Sequence, residues 1–328
     1  MSKFTKKLTV LGITLLIALI MSFVAFGADG GKQNVCEHTY KTVTIKATPD
    51  SNGKVATKCK YCGYIAKTVR TYKPSDFVLS SSFFTYNGKV QTPSVKIYDN
   101  KGNPLKYKAD FTLKYPSGRK AVGQYAVTVT FKGKYSGTKK LYFDILPRKV
   151  TGFKITPSVS SLKMEWNKVT GATGYQLYFY YEGNLIMTVN TKNTCYTMYN
   201  LREAAPHTVK IKAYKVLEDE TKLFSKTAAK LLTSTVPDAP ALTVKTEHGK
   251  VNLNWKKVYG ATGYEIFMSE TKKGNYVKIG TVGSDSLKFT KTGLSGDKTY
   301  YFKVRGIIDG SSGKYYGDCS SVKAVKIK

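Results

Sequence analysis

Four residues near the start of the chain have the types and spacing for metal chemistry: Cys36 and His38 in Cys36-Glu-His38, then Cys59 and Cys62 in Cys59-Lys-Tyr-Cys62-Gly63. Three thiols and one imidazole, paired in two short knuckles, suit a tetrahedral Zn2+ site, with Gly63 easing the second turn. Protein donors at all four positions would make that zinc structural, because a catalytic zinc keeps one position open for water. In an exported chain a second chemistry competes. Cys59 with Cys62, or Cys36 with either, can form a disulfide and leave His38 an ordinary surface residue. Spacing alone keeps both open. The segment is too short to bury much of a core, so a metal would substitute for one.

Other chemistry finds little support. There are three histidines: His38 fits the metal set, His207 sits at a strand corner, and His248 lies in the turn Glu247-His-Gly-Lys250. None has a motif-level nucleophile beside it. The chain contains no glycine-rich phosphate loop and no His-Glu-x-x-His run,. The densest acidic run, Glu218-Asp219-Glu220, reads as a solvated hairpin loop rather than a glycosidase pair,. Cys195 and Cys319 fall in different modules and read as small thiols rather than a bridge. The expectation is a protein that is not an enzyme.

The elements that position these residues are strands. Trp166-Asn-Lys-Val-Thr-Gly-Ala-Thr-Gly-Tyr175 returns as Trp255-Lys-Lys-Val-Tyr-Gly-Ala-Thr-Gly-Tyr264, a repeat of 255 − 166 = 89 residues,. Each copy is flanked by alternating apolar positions, Leu162/Met164/Trp166 before Tyr175/Leu177/Phe179, and Val251/Leu253/Trp255 before Tyr264/Ile266/Met268. That period of two predicts strand, turn, strand with one buried face. Leu201 lies six residues before His207, and Leu294 six before Tyr300. With these marks, 149–328 resembles tandem fibronectin type III domains, whose marks are the strand-B tryptophan, the tyrosine opening strand C and the corner tyrosine. His207 departs from that pattern, standing where the corner tyrosine would.

Upstream, short strand candidates between turn signals run from Pro74 to Arg148, among them Phe83 to Tyr86, Phe111 to Tyr115 and Tyr125 to Phe131,. Tyr125, Val127, Val129 and Phe131 alternate and should line the core. Tyr86-Asn-Gly88, Asp110-Phe-Thr112 and Gly133-Lys-Tyr-Ser-Gly-Thr138 make this stretch similar to bacterial immunoglobulin-like repeats. The Cys/His segment resembles short zinc-ribbon-like modules that precede β-repeats in exported bacterial proteins. The expected fold is all-β: a Cys/His module over 28–73, an immunoglobulin-like sandwich over 74–148, and fibronectin type III-like sandwiches over 149–236 and 237–328.

Residues 1–27 read as a secretory leader: three lysines precede an apolar run from Leu8 to Ala25, with Ala25-Phe-Gly27 as the cleavage site, and the length of the run leaves an uncleaved membrane anchor as the alternative,. No membrane span is expected after cleavage. The 328 residues carry 53 Lys and Arg against 21 Asp and Glu, a formal charge of +32, or (53 − 3) − 21 = +29 without the leader. Such a surplus attracts polyanions. Lysines are spread through every module rather than gathered in one arm, and no nucleic-acid fold is visible, so an anionic cell-wall polymer or carbohydrate is the expected partner, with other surface proteins next.

Tyrosine occurs 25 times, too many for all to be core. Alternation from Tyr175 turns Tyr178 and Tyr180 outward, and Tyr315 and Tyr316 follow the last hairpin turn. These four are the candidate ligand-binding residues, suited to stacking on sugars or binding beside lysine; the plainer alternative is that tyrosines simply cover a β-surface. The reading is an exported, monomeric surface or matrix protein for charge-assisted adhesion. An accessory role in extracellular polysaccharide breakdown is the alternative.

Overall fold

The computed structural model describes residues 36–247, 249–310 and 313–328; the leader expected over 1–27 and His248 lie outside them. The described residues are all-β, with no helix among them. They fall into two compact units, 36–43 with 56–68, and 44–55 with 69–328.

The first sheet has the order β1-β2-β3, from β1 (Tyr40–Ile45), β2 (Gly53–Cys59) and β3 (Ile65–Thr71). The candidate metal ligands, Cys36, His38, Cys59 and Cys62, belong to the smaller unit. The hairpin 44–55 folds with the neighbouring sandwich: Ala47 is fully buried among Ile97, Leu105, Phe111, Val129, Phe131 and Tyr135, and its N–H donates to the Lys134 carbonyl at 3.1 Å. Among the described residues the compact unit that carries the Cys/His cluster is 36–43 with 56–68.

Next come β4 (Pro74–Leu79), β5 (Phe83–Thr85), β6 (Val95–Asp99), β7 (Phe111–Lys114), β8 (Gly123–Phe131) and β9 (Thr138–Leu146). β4 pairs with β6, and the second sheet runs β5-β9-β8-β7 with β5 parallel to β9. In β8 the alternation buries Val127, Val129 and Phe131, while Tyr125 is half-buried and stacks on Phe143.

The repeat then builds two sandwiches of one plan. The first contains β10 (Lys154–Pro157), β11 (Leu162–Glu165), β12 (Gly174–Tyr181), β13 (Asn184–Thr191), β14 (Cys195–Met198), β15 (Pro206–Val216), β16 (Lys222–Phe224) and β17 (Ala229–Ser234). One sheet is β10-β11-β14, and the other is β13-β12-β15-β16 with β17 also on β15. The second contains β18 (Leu242–Glu247), β19 (Lys250–Trp255), β20 (Gly263–Ser269), β21 (Val277–Gly283), β22 (Lys288–Lys291), β23 (Thr299–Gly310), β24 (Gly313–Cys319) and β25 (Lys323–Lys326). Its sheets are β18-β19-β22 and β21-β20-β23-β24, with β25 on β23.

The inward residues of both sheets meet in one core per sandwich. Leu162, Met164, Leu177, Phe179, Val209 and Ile211 fill the first, and Val251, Leu253, Ile266, Phe302 and Val304 the second. Each such side chain contributes about 1.5–3 kcal/mol by leaving water. The repeated motif has a specific physical cause. Tyr175 Oη accepts the Val169 N–H at 2.9 Å, and Tyr264 Oη accepts the Val258 N–H at 2.9 Å, so the tyrosine satisfies a buried donor in the turn before it,. Trp166 and Trp255 pack against those tyrosines at 5.3 Å and 5.4 Å between ring centroids.

The turn glycine does a second job. A Cβ on Gly171 would meet Val122 Cγ2 at 2.7 Å, and one on Gly260 would meet the Ala204 Cβ at 2.3 Å. In both copies the Gly-Ala-Thr-Gly turn therefore lies close against the preceding sandwich, where no side chain fits.

Candidate metal centre and cationic aromatic faces

Cys36, His38, Cys59 and Cys62 come together with their ligand atoms all within 4.8 Å of one another. β2 ends on Cys59, and the turn after it is closed by the Cys59 N–H donating to the Tyr64 carbonyl at 2.7 Å. Gly63 takes φ +78°, which a side chain would resist,. The first knuckle is tied to the second by the Lys60 N–H, which donates to the Thr39 carbonyl at 2.8 Å. Local turn chemistry thus aims all four donors at one point.

The donor set fits zinc. Cys36 Sγ and Cys59 Sγ are 3.7 Å apart, close to the edge of about 3.8 Å in a tetrahedron with metal–sulfur distances of about 2.3 Å,. Cys62 Sγ and His38 Nδ1 are 3.3 Å apart. A disulfide requires about 2.05 Å, and all five cysteines are free thiols in this arrangement,. The Cys59 thiol is drawn down to about 5, chiefly by backbone N–H donation from Cys62, with the His38 ring and the Tyr61 N–H adding to it. Cys36 is pushed up to about 11 by its hydrogen bond with Cys62 and by desolvation. Cys59 is buried, Cys36 half-buried, and His38 and Cys62 exposed. His38 stacks on Tyr64 at 4.8 Å and lies 5.7 Å from Tyr40, so aromatic rings orient the imidazole,. The spacing of the knuckles signalled the thiols, but nothing in it signalled those ring contacts.

The four candidate tyrosines divide between two sheets and do not form one site. Tyr178 and Tyr180 are half-buried on β12, where the Tyr178 hydroxyl donates to the Gln176 amide oxygen and the Lys210 ammonium lies 4.4 Å from the Tyr180 ring centre. Tyr315 and Tyr316 lie on β24 of the second sandwich. The Tyr315 hydroxyl faces the first sandwich, 3.4 Å from the Leu232 carbonyl oxygen. Tyr316, 45% exposed, carries the Arg305 guanidinium at 4.1 Å over its ring.

Around Arg305 is an arrangement that spacing did not reveal. Glu265, only 3% exposed, accepts two hydrogen bonds from Arg305 at 3.0 Å and 2.7 Å and one from Lys278 at 3.2 Å. Burial works to raise the Glu265 carboxyl, and these two cations more than offset it, holding it below the usual carboxylate range,. Beside them Lys303 lies 4.3 Å from the Tyr276 ring centre. The only sequence signal was three charges in three separate strands. Their convergence depends on strand pairing.

His207 is buried, and neither ring nitrogen has a hydrogen-bond partner; the Tyr180 backbone beside it falls short of hydrogen-bond geometry. Burial pushes its pKa below the ordinary value. At the matching corner, Tyr300 Oη accepts the Ser295 N–H at 3.1 Å.

No protein-family model and no curated protein matches the chain. Among solved structures it is similar to a two-domain fibronectin type III segment of chicken tenascin, at 14% identity over 54% of this chain and 98% of that one, with a TM-score of 0.32. It is also similar to the FN1–FN3 domains of chicken contactin, at 14% identity over 78% of this chain and all of that one, with a TM-score of 0.35. At such scores the all-β fold stands on the chain's own strand pairing, two sandwiches of repeated order with a capped turn in each.

Proposed function

We propose that this chain is a non-catalytic, modular binding protein of the cell exterior, whose sandwiches present lysine- and tyrosine-bearing faces to an anionic polymer of the cell wall. The observation that carries the reading is the distribution of charge. Residues 74–148 hold 13 Lys and Arg against 4 acids, 149–236 hold 12 against 6, and 237–328 hold 16 against 8. Each module is therefore separately attractive to a polyanion, and linking them multiplies weak contacts into avidity. Lys210 over Tyr180, Lys303 over Tyr276 and Arg305 over Tyr316 show how the cations are held at the sheet surface,.

In this reading the Cys/His cluster holds one structural Zn2+. Cys36, Cys59 and Cys62 supply thiolates and His38 its Nδ1, and the ion stands in for a core that some twenty residues cannot build,. Zinc supplies folding energy there and no reaction.

Two measurements test this. Binding of the chain lacking residues 1–27 to a polyphosphate wall polymer and to a neutral glycan is compared across ionic strength. Polymer binding that weakens steeply with salt is expected. Neutral-glycan binding that survives high salt would instead assign the accessory carbohydrate-binding role. Metal analysis should find one zinc per chain, lost in Cys59→Ser together with hydrogen-exchange protection in the head and not in the sandwiches. A metal-free chain with Cys36, Cys59 or Cys62 oxidised would remove zinc from the reading.

A further inference from the structure

β13 is an edge strand: it pairs with β12 on one side, and no described strand pairs with its other side. An open edge presents unpaired N–H and C=O groups, and proteins ordinarily guard such edges with charge. Every other edge strand of at least five residues here carries a charged side chain, such as Lys278 in the matching β21. β13, Asn-Leu-Ile-Met-Thr-Val-Asn-Thr, carries none over eight residues. Leu185, Ile186 and Met187 on this strand stand in solvent, at 53%, 48% and 42% exposure. In a chain with 53 basic residues, this uncharged apolar edge stands out.

We propose that the free edge of β13 is a self-association site that takes a second copy of this chain, its β13 running antiparallel. The charges at the strand ends select that occupant. Exposed Glu182 precedes the strand and exposed Lys192 lies just beyond it, and Lys192 has no ion pair among the described residues. When two copies run antiparallel about Met187, Leu185 faces Val189, Ile186 faces Thr188, and Glu182 of each copy faces Lys192 of the other. A parallel arrangement sets like charges together. The two-fold arrangement makes the same patch serve both partners and joins two sheets across the edge. Elsewhere the positive surface repels a second copy, so β13 is where two such chains can approach. An eight-residue edge gives a weak, reversible dimer, which doubles the binding modules presented to a polymer.

Sedimentation equilibrium on the chain lacking residues 1–27, over roughly 10–500 µM, is the test. The expected result is a concentration-dependent dimer whose dissociation constant rises at least about tenfold in Ile186→Lys. Leu185→Lys should act alike; both positions are half-exposed, so the fold tolerates them. Lys192→Glu should weaken the dimer about two- to fivefold, and adding Glu182→Lys should restore it, which a non-specific apolar contact would not do. A monomer throughout the range overturns the proposal. So does a dimer indifferent to Ile186→Lys and Leu185→Lys, or one that the paired charge exchange fails to restore.

Discussion

In both sandwiches of the 89-residue repeat a tyrosine hydroxyl accepts a turn N–H at 2.9 Å and packs against a tryptophan, yet the outward faces of the same strands differ. In β20, Glu265 is locked between Arg305 and Lys278. Its counterpart in β12, Gln176, donates to Asn190 on the edge strand at 3.1 Å and involves no charge. The corners differ too, since Tyr300 is hydrogen-bonded where His207 is buried without a partner. Residues inside the sandwich answer to one packing problem and so repeat. Those on its faces and edges answer to neighbours that change from module to module, and there the second sandwich is braced by charge while the first leaves an edge open.

Three substitutions probe the difference between the two sandwiches. Glu265→Gln should cost the second sandwich about 3 kcal/mol, toward the low end for removing one member of a buried ion pair, because Arg305 and Lys278 keep 28% and 52% exposure,. Hydrogen exchange in β23 should accelerate while β15 stays protected; equal loss in both would mean that the sandwiches unfold as one. The network also sets a pH response. Because Glu265 titrates below its unfolded value, its stabilisation is complete above the ordinary carboxylate range and is lost as pH falls through the depressed value,. The substituted chain should lose that acid-sensitive component.

Tyr300→Phe should cost about 1 kcal/mol, since the partly buried Ser295 N–H loses its acceptor,. An unchanged melting curve would show that solvent replaces the phenol there. The smallest effect is a gain. His207→Tyr should stabilise the first sandwich by about 0.5–1 kcal/mol if the new hydroxyl finds a backbone donor as Tyr300 does. With the His207 pKa depressed, the native stability it permits is full above about 6.5 and declines as pH falls toward the folded value, so the gain should grow between pH 7.5 and pH 5,. A gain that is flat over that interval would refute a neutral buried imidazole.

Much of this was legible in the residues. Alternation around Trp166 and Trp255 announced the strands, because one buried face imposes a period of two. The knuckles announced the Cys/His cluster, because the spacing within each knuckle is set locally by turn geometry. The outward direction of Tyr178 and Tyr180 came from the same alternation, while their half-burial came from neighbours on β15 such as Lys210.

Features that depend on adjacent residues could be read directly from the chain: strand periodicity, the turn glycines, the paired Cys/His residues and the charge surplus. Tertiary structure alone decided the rest, because distant positions meet only when strands pair. It brought Glu265 to Arg305 across β20 and β23, placed Ala47 in the core of the neighbouring sandwich, turned the Tyr315 hydroxyl toward Leu232, and left β13 at an edge. An uncharged strand reads the same in the middle of a sheet as at its border, and only the pairing shows which one faces water.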